Sequence, residues 1–453
     1  MQPVRLLVIL NPGRVSRRWM ESFAAHARAM GTLGATIEVG QVWDRITRAG
    51  ADHVRERQAI AREIAALCAR ERITHALGYV SNLSYDCGLH PDADGKPASL
   101  FVHCNVRHLM LWSDHPNWAD NGRALDDPLR RLLGHRMHTH FVKSAAAAEE
   151  CRRVLGWENV HHLHMGEGPS IITPARRDTP TCDGVTIMSD VSPVPAALTS
   201  LLDRPDPDPR ELMRLSLASV LQQAARACPG ASPVAFEAWA ELKIASPNEP
   251  LFRLASKLCG PHAHTLAELQ ASPRQWYAAV AAMHTLTAWR RSFWTAWLAR
   301  RCSVEVHGSP SEPLGIPSPA GPAWVPYERQ GDIYGRGAGC FTINAAHDEE
   351  AMSHKAFQIA AAAAPCIHHT TRGLDECFAP GVEMLTFERG PELLNHLRTL
   401  AGNPAHRARL GDAARARQEQ DHTWAHRLRR MIELAQADDR RTEAPPLPCV
   451  HAA

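Results

Sequence analysis

The chain has 453 residues, 45% of them hydrophobic and 22% charged, enough for two domains of ordinary size, each with its own core. Its 50 basic and 48 acidic residues leave a formal net charge of +2, which gives no electrostatic reason to invoke nucleic acid or an anionic membrane surface. The twelve cysteines are scattered singly with no Cys-x-x-Cys pair, so neither a disulfide framework nor a zinc ribbon is signalled.

The N-terminal apolar run is about six residues long, too short for a signal-peptide core. No stretch approaches the roughly 18 apolar residues of a membrane span. These features predict a soluble, cytoplasmic protein without a transmembrane segment. The 26 histidines include the clusters His135, His138, His140 and His161, His162, His164. Neither has a carboxylate or cysteine beside it at ligand spacing, so the expectation is histidines flanking short strands and no bound metal.

In chain order, Arg5–Leu10 reads as a buried strand, followed by Asn11-Pro12-Gly13 and an amphipathic stretch over Arg17–Met30. Asn11–Arg14 lacks the G-x-G-x-x-G spacing and reads as a tight turn rather than a dinucleotide fingerprint. Ala35–Val39 is a second strand, His53–Arg70 a helix, and Ile73–Tyr79 a third strand. Alternation of strands and helices predicts a doubly wound, mainly parallel sheet. Ser81–Pro97 is a long loop, and Leu100–Cys104 and Leu109–Trp112 read as strands. The latter runs into Ser113-Asp114-His115-Pro116, at a carboxyl end where ligands gather in this topology. Two readings stand: Asp114 or His115 acts as a general base toward an acceptor, or the segment is an Asp-initiated turn stopped by Pro116. Ser144 is placed to cap a helix over Ser144–Leu155, between strands at Thr139–Val142 and Val160–His164. Gly166–Pro180, broken by Gly, Pro and Thr, reads as an interdomain link.

The second domain is expected to begin with the strand Gly184–Met188, interrupted by a helical block over about 191–299 whose tryptophans are read as core. Its centre is Cys340–Phe387. There a strand breaks into a loop carrying His347, Asp348, Glu349 and Glu350, and a helix begins behind Ser353. Phe357, Ala360, Ala361 and Ala364 share one face of that helix, and Pro365 ends it before the strand Cys366–His369. A helix N-terminus above a strand end is an anion site, and Lys355 in the first turn adds a full positive charge. Acidic residues before the helix and Gln358 within it are suited to hold hydroxyl groups on either side of a phosphate. A nucleotide sugar needs that arrangement. Trp424, Leu428, Met431, Ile432 and Ala435 form an apolar stripe read as packing, and residues 437–453 are expected to be disordered.

Several motifs occur together over residues 327–432: Ile343-Asn344, Lys355, Phe357-Gln358-Ile359, Gly373-Leu374, Phe378-Ala379-Pro380-Gly381, His422-Thr423 and Arg427. In these the chain resembles the spore-maturation-protein (CgeB-like) glycosyltransferases of group 1, which have the two-Rossmann GT-B architecture. Phe141–Ser144 and His162–Gly166 resemble the end of the N-terminal domain in that family. The resemblance implies two Rossmann-like domains: residues 1–180 on the acceptor side, and 181–436 binding the nucleotide sugar and holding the helical insertion.

It further implies transfer of a sugar from a nucleoside-diphosphate donor to a cell-envelope polysaccharide, protein or other acceptor, with no cofactor and no metal. Donor contacts then fall to Asn344, Ser353, His354, Lys355, Gln358, Gly373 and Leu374, with Tyr327 stacking on the base from the Trp324–Tyr327 segment. Glu350 and Gln358 occupy the spacing at which many enzymes of this architecture carry two glutamates, the first touching the sugar. Glu376 is read either as reaching the sugar or as a solvated first-turn acid. Gln358 for glutamate and Lys355 for the usual arginine depart from the pattern, since a glutamine forgoes a charge-assisted bond and a lysine a bidentate grip. Two other readings therefore stand: a catalytically silent binding or scaffold protein, and a hydrolase or epimerase of nucleotide sugars.

Overall fold

The computed structural model describes residues 3–118, 122, 124–168, 172–175, 179–188, 192–308, 314–316 and 325–443. Thirteen strands occur among them: β1 Leu6–Leu10, β2 Leu33–Glu38, β3 His75–Tyr79, β4 His90–Pro91, β5 Pro97–Ala98, β6 Arg107–Trp112, β7 His138–Val142, β8 Val160–His162, β9 Cys182–Ile187, β10 Val304–His307, β11 Gly337–Thr342, β12 Cys366–His369 and β13 Leu385–Phe387. They form a six-stranded sheet of order β2-β1-β3-β6-β7-β8, a five-stranded sheet of order β10-β9-β11-β12-β13, and the small antiparallel hairpin β4-β5. All pairs in the two larger sheets are parallel. Both are Rossmann-like α/β sheets, as the alternating pattern predicted.

The chain divides into two compact units: residues 1–163 with 424–453, and residues 164–423. This departs from the expected boundaries at 180 and 436. The helix Trp424–Glu443 belongs with the first sheet, where Trp424 packs against Trp19 and Phe23 with ring centroids 5.8 and 5.1 Å apart. Its apolar stripe announced burial, but periodicity does not say against what. The helix also runs into the expected disordered tail: Asp438 accepts from His161 Nε2 at 2.9 Å, and Asp439 pairs with the buried Arg107. Of that tail, residues 444–453 lie outside the described residues.

Most of the strands fall where expected, with one exception in the first unit. Leu100–His103 is a helical turn, not a strand. A short apolar run has no period of its own, and Ser99 Oγ, which accepts from Val102 N at 3.4 Å, starts a turn there. Ser144 does cap its helix, accepting from Ala147 N at 3.0 Å. Asn11 Oδ1 accepts from Gly13 N at 2.7 Å, an Asx turn, in keeping with the tight-turn reading.

The histidine-rich strands are core. Within β6 and β7, His108, His138 and His140 are buried, and burial holds all three below the usual range, His108 at about 3 and His140 at about 4. His140 accepts from Trp112 Nε1 at 3.1 Å, donates from Nε2 to Leu133 O at 2.9 Å, and stacks on Trp157 at 4.1 Å.

In the second unit the block between β9 and β10 is helical as expected, with helices Ala196–Thr199, Pro209–Ala227, Pro233–Ala245, Leu251–Ala255, Gly260–Ala271, Pro273–Ala288 and Arg290–Ala299. Trp239, Trp276, Trp289, Trp294 and Trp297 are buried within it, in line with the core reading. Replacing Trp424 by alanine should destabilise the first unit by about 3–5 kcal/mol, the usual cost of emptying a buried indole site. Urea unfolding followed by circular dichroism would check it: an unchanged midpoint would mean the helix is not part of that core.

Candidate functional site

In the second unit the expected donor residues gather around the carboxyl ends of β11 and β12. The helix His354–Ala361 starts there, with Ser353 in extended conformation at its N-cap. Ser353 makes no side-chain cap bond. Its hydroxyl instead approaches Thr342 Oγ1 at 3.4 Å, and its backbone N–H meets His368 Nε2 at 3.3 Å. The helix stops at Ala361, short of Pro365, because Ala363 takes a left-handed conformation (φ 55°) that turns the chain out. Ala356 to Ala361 are all buried, including Gln358, so the side chain expected to meet ribose lies beneath the helix surface.

Phe357, Phe378 and His422, quoted above from three separate motifs, meet as one ring cluster with centroids 5.2–5.5 Å apart. His422 Nε2 bonds Cys377 O at 2.7 Å. These motif residues hold the helix in place.

Lys355 and His354 occupy the first turn, both half-buried. His354 Nε2 lies 3.2 Å from Glu167 and 3.1 Å from Gly166 O. Glu167, fully buried, was missed in the sequence because a lone acid in a linker carries no pattern. Leu374 is buried. Gly373 N donates to Glu350 O at 2.9 Å, and a Cβ on Gly373 would stand 2.6 Å from that oxygen. Only glycine permits this approach of one loop to the other. Glu376 is exposed and bonds His164 at 2.8 Å. Asn344 Nδ2 donates to Asp348 O and Ala351 O at 2.8 and 2.7 Å, clasping the acidic loop across its base.

The acidic loop is pinned by the helical insertion. Glu349 Oε1 lies 2.7 Å from Lys243 Nζ, and Glu349 Oε2 accepts from Leu251 N at 2.8 Å, capping the helix Leu251–Ala255 from outside. Two residues into that helix, Arg253 reaches Glu350 at 2.8 Å. The Glu350 carboxylate, expected to touch the sugar, is thus tied to Arg253. Arg291 Nε donates to Ile343 O at 3.2 Å, and Arg372 pairs with Glu249. Lys243 is only 1% exposed, and burial lowers its pKa against the pull of Glu349. One signal for it existed: Lys243 sits on the face of the helix Pro233–Ala245 that carries Phe236, Trp239 and Ala240.

Tyr327, the expected base platform, is buried at the start of the helix Tyr327–Tyr334, so its ring is not offered to a ligand. Trp324 lies outside the described residues.

The first unit carries its own polar cluster at the carboxyl ends of β3, β6 and β7. Tyr79 and Ser113 hydroxyls meet at 2.5 Å, Ser113 Oγ lies 3.4 Å from Asp114, and Lys143 Nζ is 3.7 Å from Asp114. Val80, just after β3, has φ 48°, which is strained for a β-branched residue. Asp114 is 47% exposed. His115 turns the other way: Nε2 is 3.3 Å from Glu150 and 3.7 Å from Cys151 Sγ. Burial opposes its charge, but Cys151 and Glu150 outweigh it and push His115 up to about 10. A raised pKa disfavours the neutral, basic form of His115, whereas Asp114 is a partly exposed carboxylate.

Residues 290–433 match the model of a family described as glycosyl transferase-like. No curated protein sequence matches the chain. Among solved structures, sucrose-phosphate synthase of Thermosynechococcus elongatus is similar at 12% identity and a TM-score of 0.45, over 97% of this chain and 100% of that one. A glycosyltransferase of Rickettsia africae follows at 8% and 0.44, over 97% and 99%. Anabaena HepE in complex with UDP-glucose is similar at 10% and 0.44, over 96% and 99%.

Lys243→Ala should cost about 3 kcal/mol in thermal or urea unfolding, because it leaves the half-buried Glu349 without its cation. The double variant Lys243→Met, Glu349→Gln should recover part of that loss; a neutral single variant would remove the latch. For His115 the folded pKa is raised, so its stabilisation is complete below about 6.5 and is lost as pH rises toward 10. His115→Gln should therefore flatten the fall in stability over that range, and an unchanged alkaline limb would refute the pairing.

Proposed function

We propose that the protein is a glycosyltransferase that moves a sugar from a nucleoside-diphosphate donor to a cell-envelope polysaccharide, protein or other acceptor. It would belong to the CgeB-like branch of group 1, with GT-B architecture, and act without a metal ion. The observation that carries this reading is the start of the helix His354–Ala361 between the ends of β11 and β12, with Lys355 in its first turn, inside the glycosyl transferase-like segment.

In the reaction the bond between the anomeric carbon and the diphosphate oxygen breaks, and the acceptor oxygen bonds that carbon. Negative charge builds on the leaving diphosphate. A preorganised helix end and an ammonium group lower the barrier by stabilising that charge. On this reading the chain itself supplies the neutralisation a metal would otherwise give. The acceptor's proton goes to a carboxylate, for which the first unit offers Asp114.

A second reading, binding without transfer, is favoured by the Glu350–Arg253 pair, which occupies the carboxylate expected at the sugar, and by the burial of Gln358.

A thermal-shift screen of nucleoside diphosphates and their sugars tests the donor site. One nucleotide should stabilise the protein, and Lys355→Ala should weaken its binding about tenfold, the effect of one charge-assisted bond. No response to any nucleotide would overturn the site. Product analysis with the stabilising donor and no acceptor separates the remaining readings: free sugar marks a hydrolase, and an altered sugar an epimerase. Donor binding without turnover in an acceptor screen favours the silent protein.

A further inference from the structure

In the 164–423 unit a cavity of about 260 Å³ lies between the helical insertion and the ends of β12 and β13. It lies apart from Lys355, and none of the donor residues lines it. Three arginines from three separate segments converge there: Arg210 at the start of the helix Pro209–Ala227, Arg290 at the start of Arg290–Ala299, and Arg389 before Gly390–Gly402.

The polar atoms left over in this cavity are donors. Trp294 is 0% exposed and its indole N–H has no acceptor, and Arg389 Nε–H is buried without one. Buried donors without acceptors are costly, and such groups are ordinarily completed by a ligand or water. The missing partner must accept hydrogen bonds and is best negatively charged.

Two carboxylates also line the cavity, Asp208 and Glu388. Asp208 is engaged, since its Oδ1 accepts from Arg210 N at 3.0 Å. Glu388 is exposed. The backbone N–H groups of Glu388 and Arg389 are taken by Glu392, at 2.7 and 3.4 Å, so the helix ends add a field but few free donors. Arg389 Nη2 pairs with Asp206 and Arg290 Nη2 donates to Pro247 O at 2.8 Å, so recognition rests on the remaining guanidinium N–H groups and the indole. Arg290 keeps its charge at neutral pH, although burial pushes it down to about 10 against the opposing pull of Glu349 and Glu388. Buried His369 at the end of β12 is held neutral by burial and by Arg290, so it adds no charge to the cavity.

We propose that this cavity binds a small phosphate ester through Arg210, Arg290, Arg389 and the Trp294 indole. A phosphate group matches the planar forks of guanidinium groups. The volume exceeds what the phosphate alone fills, and the apolar faces of the two tryptophans and Pro247 suit a short carbon body. Inorganic phosphate shares the charged part and would enter the same site more weakly.

The test is calorimetric titration of the full chain with glycerol 3-phosphate, inorganic phosphate and, as control, glycerol. Saturable binding of the ester, tighter than that of phosphate and absent for glycerol, is expected. Arg389→Gln should weaken it about tenfold by removing charge-assisted bonds, and Trp294→Phe severalfold while keeping the ring. Lys355→Ala should leave it unchanged, which separates this site from the donor site whether or not the donor reading holds. Absence of saturable binding by both anions overturns the proposal. So does binding that Lys355→Ala abolishes, or that Arg389→Gln and Trp294→Phe both leave intact. Phosphate binding more tightly than the ester would overturn the choice of ligand. Circular dichroism melting shows whether Trp294→Phe folds; if it does not, Arg389→Gln decides.

Discussion

The Lys243–Glu349 ion pair is the constraint on which the second unit's candidate site depends. An ammonium group 1% exposed, whose pKa burial lowers, is held by a carboxylate 2.7 Å away and by the Glu249 carbonyl at 2.6 Å. Glu349 uses its other oxygen to cap the helix Leu251–Ala255, and that helix presents Arg253 to Glu350. The loop between β11 and the helix His354–Ala361 is therefore shaped from outside by a helical block more than ninety residues earlier in the chain. Such a pair contributes little net stability compared with a packed apolar pair. Its consequence is geometric: it leaves the loop one low-energy course.

From that loop the arrangement propagates by short contacts. Glu350 O holds Gly373 N, which sets the next loop against the first. Asn344 closes the base of the acidic loop. The Phe357–Phe378–His422 cluster supports the helix from below. The carboxylates of Glu349 and Glu350 are thereby committed to Lys243 and Arg253, beside a helix that carries Lys355 in its first turn.

The polar cluster of the first unit is built differently, from the ends of adjacent parallel strands. Tyr79, Ser113, Asp114 and Lys143 come from β3, β6 and β7 or just beyond them. Parallel register brings such ends together, and the Lys143–Asp114 pair joins two of them. His115, one residue beyond Asp114, turns instead toward Glu150 and Cys151.

The sequence by itself determined the two parallel α/β sheets, the helical insertion, the strand–loop–helix unit at Cys340–Phe387 and the buried character of the insertion's tryptophans. These follow from local period and composition, which side chains express wherever the chain places them. Only the tertiary structure decided the partners. It put the stripe of Trp424–Ala435 on the first sheet's helix, turned Tyr327 and Gln358 inward, raised the pKa of His115 beside Cys151 and Glu150, and committed Glu350 to Arg253. It also converted Leu100–His103 from an apparent strand into a helical turn. The reason is common to all of these. A side chain's charge state and direction depend on groups distant in sequence, and a one-dimensional pattern carries burial but not the identity of what does the burying.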